Sequence, residues 1–344
     1  MNAHRFKILK LLINLINFVS TREISCRIHV IVDNSLWNLT KEILHTDSDE
    51  HNYQFLRHFA QAITNFASNK FEDLNLGKDI RLLLELHNVT IFSSYYCKHM
   101  SATKVPFYKQ IFCNSNTVRH EVLLAVSQLS YFYNDNKPIC AHVLLTGKHI
   151  YEKSTYILGS AGLSTMCFKP KELPLSGWFA YNSAFVSVGA ISNVLFQLNS
   201  IGLTFAHEVG HLMGAEHDKV ELNNTHKYIM ESIATNLNVD KYWWAFSRQS
   251  EIDIAHNIYR IITESHILKC LANDAHGKCG NGFLDYHEEC DCGDDEHCCN
   301  CDNCTFNESC IQDYYNVSNA VLSDFDKAIS AIRYLKSYNK TVNR

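Results

Sequence analysis

At 344 residues, with 46% hydrophobic and 19% charged side chains, the chain is long enough to bury one or two cores and too apolar to be disordered. A net charge of −5, with Lys and Arg scattered, excludes the concentrated basic face of a nucleic-acid-binding protein. Fourteen cysteines exclude an ordinary cytosolic composition: six lie between Cys26 and Cys270 and eight between Cys279 and Cys310, even numbers that suit two self-contained disulfide sets.

In chain order, MNAHRFKILKLLINLINFVS sets Arg5, Lys7 and Lys10 at or ahead of a Leu/Ile/Phe/Val run, the shape of a secretory signal peptide. Asn14 and Asn17 interrupt that run, and Ser20 is the best residue to precede a cleavage, with a bulky Phe18 before it. Residues 1–25 are therefore read as a leader. Seven N-x-S/T sequons, at Asn38, Asn88, Asn223, Asn303, Asn307, Asn316 and Asn339, agree with passage through the secretory route. No other stretch reaches the roughly 18 apolar residues of a membrane span, so a secreted, extracellular product without a membrane span is expected.

CRIHVIVD (26–33) is a β-branched run suited to a buried strand. Residues 51–71 repeat Phe55, Phe59, Ile63 and Phe66 at helical spacing. DIRLLLELHNVTIF (79–92) reads as a strand, 118–133 as a helix, and CAHVLLTG (140–147) as an apolar strand ended by glycine. Strands alternating with helices predict an α/β fold. From Lys278 the composition turns to Cys, Asp and Glu with no readable period, which predicts a small disulfide-held module. Residues 321–344 are weakly amphipathic and can form a short helix.

HEVGHLMGAEHD (207–218) carries three histidines at offsets 0, 4 and 10. Ile201, Leu203, Phe205, Val209 and Leu212 predict a helix that packs on the sheet, with Asn199 or Ser200 able to cap its start. On that helix His207 and His211 are one turn apart, about 40° from superposition at ~100° per residue. Both imidazoles can therefore reach one metal ion at the roughly 2.0–2.1 Å of a Zn–N bond. His217 could not share that face if the helix ran on. Gly214 adopts φ > 0 cheaply and can stop the helix, so that His217 approaches from a new direction. Three neutral histidines leave a fourth position open, which marks a catalytic and not a structural Zn²⁺. Glu208, beside a ligand yet on another face, can take a proton from an activated water and return it to a leaving amine. A structural zinc would need a fourth protein ligand, for which Glu216 and His226 are nearest in sequence.

The full H-E-x-x-H-x-x-G-x-x-H pattern is that of metzincin proteases. Over about residues 26–310 the chain resembles the adamalysin (reprolysin) group, the catalytic domain of the ADAM proteases and snake-venom metalloproteinases. Asp218, directly after His217, is the mark of that group, and the resemblance implies a buried, hydrogen-bonded carboxylate beneath the site. It also implies that Met230, in KYIMES, forms an apolar floor under the histidines. LGSAGLSTMCFKP (158–170) resembles the strand and following segment that line the substrate cleft, and Cys167 and Cys270 fall at positions bridged in adamalysins. Cys279-Gly280-Asn281 and Glu288-Glu289-Cys290-Asp291-Cys292-Gly293 resemble the start of a disintegrin domain. There Asn281, Asp285, Glu288 and Asp291, with backbone carbonyls near Lys278 and Phe283, match a Ca²⁺ site of hard oxygen ligands.

The chain also departs from the group. No pro-domain is visible ahead of the first strand, and Cys26 abuts that strand, so it is expected to be structural and not a latency switch. Arg27 and Cys140 stand where the group's catalytic-domain calcium site has acidic ligands. A Cys26–Cys140 disulfide is expected in its place, which leaves Cys97 to pair with Cys113. Residues 220–228 lack the cysteines usual before the methionine turn. The disintegrin-like region stops near Cys310 without an RGD, so integrin binding is not expected. The architecture is similar to that of short secreted reprolysins of arthropod venoms and saliva.

The resemblance implies an α/β metzincin (zincin) fold, a mixed twisted sheet with long helices and a zinc cleft, plus a small disulfide-rich irregular module. The boundaries expected are a leader at 1–25, a reprolysin-type catalytic domain at 26–273, a truncated disintegrin-like module at 274–312 and a tail at 313–344. The function expected is zinc-dependent hydrolysis of peptide bonds in extracellular protein or peptide substrates. The alternative is a catalytically weak metzincin scaffold, a binding or toxin protein that acts by engaging a target.

Overall fold

The computed structural model describes residues 22–76, 80–99, 105–114, 119–133, 139–152, 155–168, 172–173, 177–178, 182–190, 194–195, 198–219, 228–232, 245–263, 270–272, 299–300 and 305–306. Asn281, Asp285, Glu288 and Asp291, the tail at 313–344 and most of the expected leader lie outside these residues. Within the expected cysteine-rich module, Cys299–Asn300 pairs antiparallel with Thr305–Phe306.

The apolar runs form the strands expected of them. β1 is Arg22–Val32, β2 is Ile80–Ile91, β3 is Ala141–Thr146, β4 is Gly159–Ala161, β5 is Ser183–Ser187 and β6 is Leu271–Ala272. β1 pairs in parallel with β2 along its whole length. On its other side it pairs antiparallel with β6 at Ser25 and Cys26, then parallel with β3 from Ile28. β3 continues in parallel to β5, and the short antiparallel β4 closes the far edge. β1 starts before the expected domain boundary at residue 26. Ile24 and Ser25 are buried and paired into the sheet, so residues 22–25 belong to the fold.

Helices cover both faces of this mixed sheet. They are α1 (Asn34–Leu44), α2 (Asp49–Glu72), α3 (Ser94–Lys98), α4 (Phe107–Cys113), α5 (Arg119–Phe132), α6 (Leu198–Leu212) and α7 (Arg248–Thr263). The period-2 alternation of the strands assigns their side chains. Ile28, Val30, Val143, Leu145, Ala184 and Val186 face α1, α2, α6 and α7, while Ile31, Leu144 and Phe185 face α4 and α5. All six residues of β3 are buried, as suits a central strand covered on both sides. Asp33, buried between β1 and α1, caps the helix through Leu36 N–H and accepts from Thr146 Oγ1. No helix of the described residues is long and apolar enough to cross a membrane.

A pair of histidines interrupts this apolar interior. His29 and His142 are register partners on β1 and β3. Their Nδ1 atoms are 2.9 Å apart, so one ring donates to the other, and His29 Nε2 lies 2.8 Å from Thr90 Oγ1. Tyr133 stacks on His29. The sequence offered no sign of the pair, because 113 residues separate them. Desolvation first, then the nearby imidazoles, pushes the His29 pKa well down and the His142 pKa to about 3. Both rings are thus neutral in the fold, whereas a histidine of the unfolded chain protonates near pH ~6.5. Stability from this pair is therefore fully present above about pH 6.5 and is lost as pH falls from there towards 3. With metal chelated throughout, His142 alone should remove about 2 kcal/mol of unfolding free energy between pH 7 and pH 5, read by urea melts. A His142→Gln variant should show a shallower slope, and an unchanged slope would contradict the account.

Candidate metal centre and active site

α6 forms because its apolar residues recur on one stripe. Ile201, Leu203, Phe205, Ala206, Val209 and Leu212 are all buried against the sheet and α2. Asn199 and Ser200 lie inside its first turn and not ahead of it, so neither is the expected cap. At the other end Gly214 takes φ +103°. Gly214 N–H donates to His211 O and Ala215 N–H donates to Gly210 O, both at 2.9 Å. These two bonds are the 5→2 and 6→1 pair of a Schellman turn, with glycine at the left-handed position. The segment after β4 secures the same end: Ser164 N–H donates to His211 O and Met166 N–H to Leu212 O.

This turn brings His217 back to its companions. The ligand nitrogens of His207, His211 and His217 lie within 4.8 Å of one another, and the Nε2 atoms of His211 and His217 are 3.1 Å apart. Two Zn–N bonds of ~2.05 Å at a tetrahedral angle place their nitrogens about 3.3 Å apart, so the donor set fits a zinc ion. His207 Nδ1 donates to Ile229 O at 2.6 Å and His211 Nδ1 donates to Ala215 O at 2.7 Å. Each carbonyl holds the proton on Nδ1, orients the ring and leaves the Nε2 lone pair for a metal. Desolvation, reinforced by His211 and His217 and opposed by the Ile229 carbonyl, lowers the His207 pKa to about 3. The ring therefore stays neutral, the form that ligates.

Met230, next to the Ile229 carbonyl that holds His207, is fully buried. A Cβ added to Gly210 would stand 2.8 Å from Met230 Sδ and 3.0 Å from a Phe246 ring carbon. The glycine inside the motif thus lets the thioether reach the helix. A glycine in the middle of a buried helix costs about 1 kcal/mol against alanine, and that cost was the sequence sign that could have found this contact. Asp218 is half-buried as a residue, while its carboxylate Oδ2 is buried. Its Oδ1 accepts from Ser247 Oγ and Ser250 Oγ at the start of α7, and its N–H donates to Met230 O. It therefore ties the third histidine to the methionine floor and to α7. Ser247 and Ser250 are functional neighbours that the sequence reading missed. Glu208 is 4% exposed and faces β4. Glu216 is exposed and outside the imidazole group, and His226 lies outside the described residues.

The sulfur chemistry agrees in part with expectation. Cys97 is joined to Cys113 across α3 and α4, and Cys167 to Cys270. The expected Cys26–Cys140 bond is not formed: both are buried thiols. The two thiols adjoin without a covalent bond, and each has a further sulfur neighbour, Met166 Sδ at 3.6 Å from Cys26 Sγ and Cys270 Sγ at 3.2 Å from Cys140 Sγ. Burial, then the adjoining Cys140, pushes the Cys26 thiol pKa up, which keeps it protonated. Among the described residues, Cys140, Cys167 and Cys270 are the second cluster with ligating atoms close together, but the disulfide takes two of its three sulfurs.

The reprolysin-type description of metallo-peptidase family M12 matches residues 22–243. The chain is 32% identical over 123 residues to the mouse "Disintegrin and metalloproteinase domain-containing protein 12", across 32% of this chain and 13% of that protein. It is 29% identical over 179 residues to the mouse "Disintegrin and metalloproteinase domain-containing protein 19", across 48% of this chain and 17% of that protein. It is 29% identical over 150 residues to the "Zinc metalloproteinase-disintegrin-like BfMP" of Bungarus fasciatus, across 41% of this chain and 24% of that protein. The matched stretch thus spans no more than 24% of the length of any of these three relatives.

Substituting Gly210 by Ala sets two effects against each other. Helix propensity gains about 1 kcal/mol, while overpacking a filled core costs roughly 1–3 kcal/mol. The neighbours are a buried thioether and a ring, so overpacking should win. Gly210→Ala should lower the melting temperature and weaken zinc affinity about 10- to 100-fold in a competition titration, as for other changes behind metal ligands. A more stable variant with unaltered affinity would contradict the packing account.

Proposed function

The chain belongs to metallo-peptidase family M12 as a reprolysin-type (adamalysin) metzincin, and we propose that it is a secreted zinc endopeptidase that cleaves extended segments of extracellular proteins. The observation that carries this reading is the convergence of three imidazoles beside a buried carboxylate. His207, His211 and His217 hold the metal, and three protein ligands leave a position for water or substrate. Zinc bound there supplies Lewis-acid polarisation of a peptide carbonyl and lowers the pKa of water towards ~7.

The remaining work falls to the chain itself. Glu208 accepts a proton from the attacking water and delivers it to the leaving amine. Met230 supports the imidazoles from below without a polar group that would compete for them. Asp218, held by Ser247 and Ser250, fixes the entry of the chain into His217. β4 is the outermost strand of the sheet among the described residues, and its open side can pair with an extended substrate backbone. The proposal includes Ca²⁺ at Asn281, Asp285, Glu288 and Asp291, whose oxygen ligands suit a hard cation.

Glu208 also separates this reading from a binding scaffold without turnover. A carboxylate 4% exposed must forgo most of its hydration, and a protein that only engages a target has no use for it. Glu208→Ala should keep one zinc per chain while cleavage of a denatured generic protein falls about 10²- to 10⁴-fold. Wild-type cleavage should stop on chelation and return with zinc. Equal turnover by the variant would remove Glu208 from the mechanism, and no cleavage by the zinc-loaded wild type would favour the scaffold.

A further inference from the structure

We propose that Gly159, on the edge strand β4, is a positioning residue for Glu208, and that the carboxylate occupies the space of the side chain Gly159 lacks. This inference rests on the proteolytic reading of the site and adds a residue to it. A Cβ at position 159 would lie 2.4 Å from Glu208 Oε1, 2.7 Å from its Cγ and 2.8 Å from its Cδ. Carbon and oxygen atoms do not approach so closely without displacement. Three atoms of Glu208 are involved, so turning the terminal carboxylate would not relieve the contact.

What would move follows from what is anchored. Gly159 pairs with Val186 on β5, and Ser160 and Ala161 continue that ladder with Phe185 and Ala184. Leu158 O, one residue earlier, accepts from Ser187 N–H at 2.7 Å. The edge strand is therefore sewn to the sheet on both sides of residue 159. The α6 backbone is held as firmly, because Phe205 and Val209 are fully buried on either side of Glu208. The Glu208 side chain is the part free to yield, and its burial leaves few rotamers that do not meet protein. His207 and His211 project elsewhere on the helix and are fixed by their own carbonyl partners, so the metal ligands would stay.

The functional consequence is a coupling of register. β4 is the strand against which an extended substrate would lie, and Gly159 places the base in van der Waals contact with that strand's backbone. Base and substrate are thus positioned by one element. A bare backbone at 159 brings the base to the strand, and any side chain there would drive it off.

A double-mutant cycle tests the contact, because changes at sites that share no contact or partner add nearly independently, whereas residues in contact do not. The four proteins are wild type, Gly159→Ala, Glu208→Asp and the double variant. Each is measured for kcat and KM on a fluorogenic peptide, for the pH profile of kcat/KM, for zinc content and for melting temperature. Gly159→Ala should keep one zinc, lower kcat on the order of 10²-fold with KM little changed, and move the acidic limb of the pH profile. Glu208→Asp shortens the side chain by one methylene and opens the space, so in that background the same Gly159→Ala change should cost less than about 3-fold. Equal loss in both backgrounds, or activity of Gly159→Ala within twofold of wild type, would overturn the proposal. If Gly159→Ala fails to fold, Glu208→Asp should restore folding, and failure to do so would also overturn it. If the zinc-loaded wild type cleaves no peptide, the proteolytic reading fails by itself. The melting-temperature cycle then still decides the contact: non-additive shifts support it and additive shifts reject it.

Discussion

A helix that continued past Leu212 would carry His217 about 9 Å along the axis from His211 and some 120° round it, at 1.5 Å and ~100° per residue. No single ion could then touch both rings. The reversal at Gly214 removes that separation, and the rest of the site depends on it. Three of the carbonyls at the turn are answered: Gly210 O by Ala215, His211 O by Gly214 and Ser164, and Leu212 O by Met166. The free carbonyl of Ala215 then serves His211 Nδ1, so the turn that returns the third ligand also orients the second.

The surrounding structure repeats this economy of contacts. The methionine turn supplies Ile229 O to His207, Met230 Sδ to Gly210 and Met230 O to Asp218 N–H. α7 supplies Ser247 and Ser250 to Asp218. The segment after β4 takes up the helix carbonyls and ends at Cys167, whose disulfide to Cys270 anchors it beside β1 and β6. Sheet edge, zinc helix and methionine turn therefore meet at residues that each satisfy a backbone or ring donor, and buried polar groups at such a junction are costly unless paired.

Much of this was legible in the chain. Runs such as CRIHVIVD and CAHVLLTG could only be strands, and Phe55, Phe59 and Ile63 could only share a helix face, because local periodicity carries that information. The spacing of His207, His211, Gly214 and His217 carries the centre, since one helix and one turn contain it. What escaped reading lies between distant segments. His29 meets His142 across β1 and β3, and Gly159 meets Glu208 across β4 and α6, and neither is announced by any short pattern. The Cys26–Cys140 expectation came from residue type at aligned positions; the two residues do adjoin, but both remain thiols. The start of α6 was misplaced because Asn199 and Ser200 are good caps in isolation, yet the helix begins at Leu198.

The most direct measurement is zinc-edge X-ray absorption on the purified full chain. Convergence of His207, His211 and His217 requires one zinc per chain with three imidazole nitrogens at roughly 2.0–2.1 Å and one oxygen ligand. A sulfur shell at about 2.3 Å would place the metal on cysteines, and two imidazoles in place of three would mean that the turn at Gly214 does not bring His217 to the ion. Either spectrum would rule out a three-imidazole centre gathered by the turn at Gly214.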